Sequence, residues 1–315
     1  MEAAGPSLPY ATAYHAPVLC NAVVEGLVTD PAGLYIDATL GGGGHTAALL
    51  DRLAPQGRVL GIDRDADALA AATKRLADAA KARRFRTVRG SFADLDLLLD
   101  KAGVGVIDGL LLDLGVSSHQ FDAARRGFSH RYDAPLDMRM DQRAPTTAAD
   151  IVNTWKEADL VRLFFEAGEE PRARRIVAAL VAARPVTTTE RLASLVRSAV
   201  PTLEEAKSLA RVFQALRIAV NDELDALEAV LETAVQRVRP GGRVAVLAYH
   251  SLEDRRVKRF FRYGNFEGRP HRDVFGNLIA PFREITRQPV VPDEAEVAAN
   301  PRARSARLRI AERAA

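Results

Sequence analysis

The sequence has a single cysteine, Cys20, among its 315 residues. One cysteine excludes an internal disulfide framework and a cysteine-rich zinc site, and it fits a reducing cytoplasm. The chain also lacks an apolar run of the roughly 18 residues that a membrane span requires. Its first thirteen residues lack the basic start and apolar centre of a signal peptide. These absences predict a cytoplasmic globular protein in which residues 1–13 form a disordered tail.

The sequence also lacks a pair of histidines at metal-ligand spacing and a large net charge of one sign. None of the six histidines shows H-x-x-x-H spacing, and we expect no metal. The 44 Lys and Arg nearly balance the 41 Asp and Glu, which leaves a net charge of +3 and a pI of about 9.1. This balance permits a nucleic-acid partner but does not require one.

Short apolar runs alternate with helical patterns through the first 115 residues. The strand candidates are "GLYIDATL", "RVLGID", "FRTVRGSF" and "GLLLDLG", each separated from the next by an amphipathic stretch. Parallel neighbours need a covering crossover, so this alternation predicts an α/β domain with a parallel sheet.

The alternation stops at about residue 116, and residues 116–216 read as an inserted helical domain. After Pro201, apolar residues recur at steps of three and four, which predicts a long helix with a break near Asn221 and a stop at "RPGG". The sheet then resumes with "RVAVLAYHS", a helix from "LEDRRVKRFF", and two late strands in "FREITRQPV" and "SARLRIA". We therefore assign residues 14–115 and 217–315 to one domain and 116–216 to another.

The stretch "LYIDATLGGGGHTAALL" places four glycines between a strand and a helix, which is the form of a cofactor-binding loop. No lysine follows, so a triphosphate loop is excluded, and the dinucleotide pattern G-x-G-x-x-G fits only in part. The acid and spaced glycines of S-adenosylmethionine-binding loops match with one substitution. Asp63, nineteen residues beyond Gly44 at the end of the second strand, suits the ribose of either an S-adenosylmethionine or an NAD.

Two later residues favour S-adenosylmethionine. Phe92 follows the third strand, where an aromatic ring can stack on adenine, although a core position is the alternative. Asp113 ends the fourth strand, at the edge where ligands of such sheets bind.

Taken together, these motifs resemble a known family over nearly the whole chain. The segments "HAPVL", "DATLGGGGHT", "GIDRD", "LLDLGVSSHQFD", "PLDMRMD", "FQALRIAVNDEL", "YHSLEDRRVKRFF" and "NPRARSARLR" occur in one order. They look like the bacterial small-subunit ribosomal RNA cytosine-N(4)-methyltransferases, the RsmH (or MraW) family. The fourth glycine, Gly42, is a departure, because many relatives carry a larger residue there.

The resemblance implies a class I, Rossmann-like methyltransferase fold with an inserted helical domain for substrate recognition. It implies transfer of a methyl group from S-adenosylmethionine to the exocyclic N(4) amine of one cytidine in the decoding region of 16S rRNA, free or in the assembled small subunit. The implied cofactor contacts are Gly43, Gly44, His45, Asp63, Phe92, Asp113 and Gln120. With RNA as substrate, the basic clusters at residues 125–126, 172–175, 255–259 and 302–309 become candidate phosphate contacts.

The residues also limit the chemistry. Methylation at carbon-5 of cytosine needs a cysteine thiolate, and Cys20 precedes the first strand and adjoins no motif, so nitrogen or oxygen methylation is favoured. The loop after Asp113 lacks the D/N/S-P-P-Y/F pattern of DNA amino-methyltransferases. Candidate catalytic groups are therefore Ser117, Asp137 and His250, of which Asp137 could instead pair with Arg139 and His250 could be a hydrogen-bonded structural residue.

Two other functions use the same kind of loop. One is a non-catalytic module that binds adenosine nucleotides, and the other is an NAD-dependent oxidoreductase. A ligand titration tests for the oxidoreductase, because S-adenosylhomocysteine should stabilise a methyltransferase against heat and NAD should not. Incubation of labelled S-adenosylmethionine with small ribosomal subunits tests for the non-catalytic module, which would transfer no label.

Overall fold

The computed structural model describes residues 10, 17–117, 120–121 and 123–315. The predicted tail of residues 1–13 lies outside them except for Tyr10, whose hydroxyl donates a 2.9 Å hydrogen bond to Asp51. Among the described helices, none combines the length and the apolarity needed to cross a membrane.

Seven strands form one sheet in the order β3-β2-β1-β4-β5-β7-β6. They are β1 (Leu34–Asp37), β2 (Arg58–Asp63), β3 (Phe85–Arg89), β4 (Ile107–Asp113), β5 (Val238–Ala248), β6 (Phe282–Glu284) and β7 (Arg307–Arg313). Strands β1 to β5 pair in parallel, whereas β7 runs antiparallel between β5 and β6. The predicted α/β class is confirmed, and the reversal of strand order at β1 is that of a Rossmann-like sheet.

Helices account for most of the remaining regular structure. They are α1 (Cys20–Leu27), α2 (Gly44–Arg52), α3 (Ala66–Arg75), α4 (Ala77–Lys81), α5 (Leu95–Lys101), α6 (Ala148–Thr154), α7 (Glu157–Glu166), α8 (Ala173–Ala182), α9 (Thr189–Ala199), α10 (Glu205–Asn221), α11 (Glu223–Arg237), α12 (Ser251–Tyr263) and α13 (Glu294–Ala299). Short 3₁₀ helices lie at Phe92–Asp94, Ala124–Arg126, Thr202–Glu204 and Pro301–Ser305.

Each face of the sheet carries its own hydrophobic core. Successive side chains of a strand point to opposite faces, so Leu110 and Leu112 of β4 enter one cluster while Leu111 enters the other. The same alternation separates Ile36 from Tyr35 on β1, and all five side chains are fully buried. Burial on both faces explains why these strands read as continuous apolar runs rather than as alternating ones.

The chain divides into two compact units. The first comprises Met1–Gly115 and Asp225–Ala315 and contains the whole sheet. The second is Val116–Leu224, and its described regular elements from α6 to α10 are helices, with one isolated bridge between Pro135 and Thr188. The second unit leaves the first after β4 and returns within the helix that precedes β5.

The apolar repeat after Pro201 is interrupted where the sequence indicated. Helix α10 ends at Asn221, Asp222 adopts the left-handed region with φ 49°, and α11 begins at the next residue. The helix ends at Arg237, next to "RPGG" as predicted, but "RPGG" itself lies within a strand, which the sequence did not indicate. Helix α11 stops before it, and Val238 already pairs with Ile107 in the sheet.

Residues 239–242 form a bulge inside β5 instead of a connection outside the sheet. Pairing with β4 resumes only between Arg243 and Gly109. The Arg239 guanidinium bonds to the Asp108 carboxylate next to the bulge, and Gly241 supplies the positive φ of 77° that the turn requires. The proline and glycines therefore allow an irregular strand, which the sequence pattern did not distinguish from a helix stop.

Candidate functional site

Three acids end three neighbouring strands of the first unit. Asp37, Asp63 and Asp113 are the last residues of β1, β2 and β4, which lie side by side in the order β2-β1-β4. Parallel strands finish at one edge of their sheet, and ligands of such folds bind at that edge, at the point where strand order reverses. The candidate site is therefore this edge, together with the glycine loop between β1 and α2.

The glycine loop leaves little room for side chains at two consecutive positions. Gly43 has φ 76°, and a Cβ there would lie 3.2 Å from Leu76 Cδ1 and 3.3 Å from the Ala72 methyl. Gly44 begins α2, and its Cβ would lie 3.1 Å from the Pro17 ring. Bare backbone at the start of a helix presents N–H groups that a ligand can approach closely.

Asp37 anchors the glycine loop from inside. It is 1% exposed and accepts a 2.7 Å hydrogen bond from the Thr46 hydroxyl and a 3.3 Å bond from the Thr39 N–H. Burial raises the pKa of this carboxyl, while the bond from Thr46 opposes the rise. The Thr39 hydroxyl in turn accepts a 2.6 Å bond from the Asp113 N–H, which ties the loop to the end of β4. Sequence reasoning had assigned no role to Thr39 or Thr46.

Asp63 is hydrogen-bonded to the backbone of the same loop. Its Oδ2 accepts from the Gly41 N–H at 2.8 Å, and its Oδ1 accepts from the Asp65 N–H at 2.9 Å. Burial raises the pKa of Asp63 to about 6, although these bonds favour the charged form. Each carboxylate oxygen has a further lone pair, so both can still accept a hydroxyl. The predicted ribose contact stays a prediction.

Asp113 is held by side chains from two other elements. The Tyr249 hydroxyl donates a 2.8 Å hydrogen bond to Oδ1, and His45 Nε2 lies 3.4 Å from Oδ2. The sequence did not identify Tyr249, although it directly precedes His250 at the end of β5, the strand beside β4. Burial and the neighbouring carboxylate raise the pKa of Tyr249 well above its usual value, so this phenol keeps its proton.

His45 is buried between two acidic groups. Burial alone would lower its pKa, but the Asp113 carboxylate and the Cys20 thiol outweigh burial and raise the pKa to about 10. The ring is 4% exposed, and neither of its nitrogens has a well-formed hydrogen bond within the described part of the chain. The site therefore contains a buried imidazole whose charge is stabilised by Asp113 through a long contact.

The expectation that Cys20 adjoins no motif is wrong. Helix α1 packs against α2, which brings Cys20 close enough to His45 to affect its pKa. The thiol is free and 8% exposed. The argument against carbon-5 chemistry therefore depends on the burial of this cysteine and not on its distance from the cofactor loop.

Phe92 begins the 3₁₀ helix that follows β3. Its side chain is 8% exposed and belongs to one of the two sheet cores, and the Arg64 guanidinium lies over the ring at 5.8 Å from its centroid. This environment is largely that of a core residue. Adenine stacking on Phe92 stays a prediction.

Gln120 and Ser117 belong to the second unit and bond to each other. The Ser117 N–H donates to Gln120 Oε1 at 3.0 Å, and the Gln120 N–H donates to the Ser117 hydroxyl at 3.2 Å. Residues 118, 119 and 122 of the same loop lie outside the described residues. The mutual bonds fix the orientation of both polar side chains.

Asp137 is paired with Arg139 through two hydrogen bonds. The guanidinium donates from Nε to Oδ1 at 2.9 Å and from Nη2 to Oδ2 at 2.7 Å. Partial burial raises the pKa of Asp137, but the arginine more than compensates, and the net pKa is lowered. A carboxylate stabilised in this way is a weak proton acceptor. The Arg-paired alternative is the one that the geometry favours.

His250 caps α12. The Glu253 N–H donates to His250 Nδ1 at 3.4 Å, and the His250 N–H donates to Glu253 Oε2 at 3.3 Å, which completes a capping box. His250 Nε2 also lies 3.1 Å from Glu253 Oε1. Both ring nitrogens thus face Glu253, a side chain that is only 2% exposed. This geometry fits a structural histidine better than a free proton acceptor.

The predicted basic clusters are only partly available to RNA. Arg126 and Arg309 are each 4% exposed; Arg126 donates to the carbonyls of Arg139 and Met140, and Arg309 pairs with Asp254. These two cannot serve as phosphate contacts. Other cluster members form ion pairs, namely Arg172 with Glu204, Arg256 with Glu228 and Arg307 with Asp254. Members that are exposed and appear in no described ion pair are Arg125, Arg174, Arg175, Lys258 and Arg304.

Comparison with protein families gives one match that spans nearly the whole chain. A model of the MraW methylase family matches residues 12–314. The protein named ribosomal RNA small subunit methyltransferase H of Flavobacterium johnsoniae is 45% identical over 303 residues, covering 95% of this chain and 98% of the relative. The protein of that name from Parabacteroides distasonis is 47% identical over 304 residues, covering 95% and 97%, and that of Symbiobacterium thermophilum is 48% identical over 305 residues, covering 94% and 95%.

Solved structures show weaker likeness. An rRNA methylase from Streptococcus thermophilus gives a TM-score of 0.40 at 14% identity and covers 94% of each chain. A SAM-dependent O-methyltransferase from Thermotoga maritima gives 0.42 at 11% identity, covering 98% of this chain and 72% of the other.

Proposed function

The chain belongs to the MraW methylase family, and from that premise we propose that it methylates the exocyclic N(4) amine of one cytidine in the decoding region of 16S rRNA. That the chain is a ribosomal RNA methyltransferase dependent on S-adenosylmethionine follows from family membership at about 45% identity over the full length of its relatives. The base, the atom and the region of the RNA are the proposed part.

The observation that carries the proposal is the arrangement at the edge of the sheet. A side-chain-free loop at Gly43 and Gly44 lies beside the ends of β2 and β4, which carry Asp63 and Asp113. This set fits a nucleoside with an amino-acid tail: Asp63 would accept the ribose hydroxyls, and the backbone of the loop would approach the tail. His45, buried beside Asp113, supplies a positively charged group, and Asp113, oriented by Tyr249, supplies a negatively charged one.

S-adenosylmethionine supplies an electrophilic methyl group, which an amine displaces in line. Cytosine's exocyclic amine is a poor nucleophile, because its lone pair is delocalised into the ring. The protein therefore has to orient the amine against the methyl, and positioning of this kind accounts for a large part of such rate accelerations. After transfer, the amine carries a positive charge and loses its proton easily.

No dedicated base is required for that last step, which agrees with the side chains present. Asp137 is neutralised by Arg139, and His250 is held by Glu253. We propose that neither Asp137 nor His250 removes the proton. Water can accept the proton once the amine has been methylated.

Cytosine N(4) is favoured over carbon-5 by the state of Cys20. Carbon-5 methylation needs a thiolate that can reach the base, and the chain's sole thiol is 8% exposed within the packing of α1. Nitrogen methylation has no such requirement.

The second unit, Val116–Leu224, is the proposed substrate-recognition part. Its helix α8 presents Arg174 and Arg175 to solvent, and two aromatic side chains are exposed as well, Trp155 at 37% and Phe165 at 64%. Exposed arginines and aromatic rings are the residues that contact phosphates and unpaired bases.

The test is to incubate the protein with radiolabelled S-adenosylmethionine and small ribosomal subunits that lack the modification. The RNA is then digested to nucleosides, which are separated by chromatography and identified by mass. We expect label in N(4)-methylcytidine. Asp113→Ala should abolish the label, whereas Asp78→Ala, which removes a 99% exposed carboxylate, should leave it unchanged.

Other distributions of label would contradict the proposal. Label in 5-methylcytidine or in another base would refute the assignment of the atom. Absence of label with S-adenosylhomocysteine bound would favour a binding module, and thermal stabilisation by NAD would favour an oxidoreductase.

A further inference from the structure

The hairpin of residues 269–280, between α12 and β6, gathers exposed apolar side chains. Arg272 and Leu278 form a β-bridge, and the Ile279 N–H donates to the His271 carbonyl at 2.8 Å. At its tip, Val274 is 93% exposed and Phe275 is 86% exposed. Leu278 and Ile279 are also exposed, so this hairpin holds four of the twelve large hydrophobic side chains exposed in the described part of the chain.

The turn of the hairpin is rigidly built. The Asp273 carboxylate accepts hydrogen bonds from the N–H groups of Phe275 at 2.9 Å and Asn277 at 2.8 Å, and from the Asn277 side-chain amide at 3.0 Å. The Arg272 guanidinium donates to the Gly276 carbonyl at 2.6 Å. These bonds hold the Phe275 ring in water instead of letting it fold back onto the sheet. A turn with this many internal bonds presents its tip in one orientation.

The segments that flank the hairpin in sequence are strongly basic. Residues 255–287 include nine Lys or Arg and only three Asp or Glu. One of those acids, Asp273, is committed to the turn. The exposed bases of the segment that form no described ion pair include Lys258, Arg262, Arg269 and Arg287. A polyanion is the partner that this charge favours.

We infer that the 269–280 hairpin binds unpaired nucleotides of the ribosomal RNA, with Phe275 stacked on a base and the surrounding arginines on phosphates. An aromatic ring presented from a basic surface is the arrangement by which proteins hold single-stranded nucleic acid. The inference rests on the proposed function, because it assigns an RNA-binding surface to an enzyme that methylates that RNA. The hairpin belongs to the first unit, so RNA contact is not confined to the inserted one.

The experiment compares three substitutions of one side chain. Phe275→Ala removes the ring, Phe275→Leu keeps apolar volume without a planar face, and Phe275→Trp keeps the face. Leu97→Ala, at a 52% exposed position on α5, is the matched control. Binding is measured with naked 16S rRNA and with small subunits. We expect Phe275→Ala and Phe275→Leu to bind both about 5- to 100-fold more weakly, and Phe275→Trp and Leu97→Ala to bind like wild type.

Several results would overturn the inference. Equal binding by Phe275→Ala and Leu97→Ala would show that the tip does not contact RNA. Full binding by Phe275→Leu, or a loss confined to assembled subunits, would show that the tip docks on an apolar protein surface. A wild-type dimer that Phe275→Ala dissociates would show a contact between copies of the chain.

Failure of the proposed function has a different signature. S-adenosylhomocysteine stabilisation and methyl transfer by wild type are measured in the same preparations. If wild type binds RNA through Phe275 but labels no cytidine, the proposed reaction is wrong and the surface stands. If wild type labels cytidine and Phe275→Ala binds RNA and labels it equally well, the hairpin inference is wrong and the reaction stands.

Discussion

Protonation of Asp63 should control the affinity for the cofactor between pH 5 and pH 7. Its carboxylate accepts backbone hydrogen bonds from Gly41 and Asp65, and burial raises its pKa to about 6. If the ionised form is the one that accepts the ribose hydroxyls, protonation removes an acceptor. His45, with a pKa of about 10, keeps its charge throughout this range.

The size of the effect follows from the pKa. A carboxyl of pKa about 6 is about 90% ionised at pH 7 and about 10% ionised at pH 5. If only the ionised form binds, the dissociation constant of S-adenosylhomocysteine should rise about tenfold between pH 7 and pH 5. Because binding favours the ionised form, it should also release about half a proton near pH 6.

Isothermal titration calorimetry at several pH values, in buffers of different ionisation enthalpy, measures both quantities. Asp63→Asn should bind weakly with no pH dependence between pH 5 and 7, whereas Asp78→Asn, at an exposed carboxylate, should follow wild type. A flat wild-type profile would show that Asp63 is not the ribose acceptor. A wild-type slope that persists in Asp63→Asn would assign the titration to another group.

Two further predictions concern the same edge of the sheet. Gly43→Ala should remove cofactor binding, because a methyl group there meets Leu76 and strains the backbone. Gly103→Ala is the control: its φ of 67° is similar but the space around it is open, so it should lower stability by about 1 kcal/mol and leave binding unchanged. Normal cofactor binding by both variants would contradict the role proposed for the glycine loop. Tyr249→Phe should weaken S-adenosylhomocysteine binding about tenfold, because a hydrogen bond to a carboxylate contributes about 1.5–3 kcal/mol. Tyr263→Phe is the control. Equal affinities of the two variants in calorimetry would show that Asp113 does not need the hydrogen bond from Tyr249.

The sequence predicted the sheet because its signal is local. Strand-length apolar runs such as that around Leu110, with helical patterns between them, determine a parallel α/β sheet whatever the details of packing. The break at Asn221 was also predictable from helix length. By contrast, "RPGG" carries the same signals in a bulge as in a helix stop, and only the pairing of Val238 with Ile107 distinguishes the two.

The parts of the site that could be predicted are the residues that directly follow one strand in sequence. Each of the three acids could be placed at an edge from the strand before it. The hydrogen bond from Tyr249 to Asp113 requires β4 and β5 to be neighbours in the sheet. The two residues are more than a hundred positions apart in sequence, so no local pattern indicates this contact. The proximity of Cys20 to His45 likewise arises from the packing of α1 on α2, which no motif encodes. Contacts of this kind belong to tertiary structure.

The position of the second unit between β4 and β5 affects how the chain emerges during translation. When residue 115 has been synthesised, β3, β2, β1 and β4 can pair. At that stage β4 is an edge strand that carries three leucines and unpaired backbone N–H and C=O groups. Its neighbour in the sheet, β5, is synthesised only after the whole second unit. Exposed edge strands can pair with strands of other molecules. Nascent or truncated chains that stop before residue 238 should therefore be the aggregation-prone species of this protein.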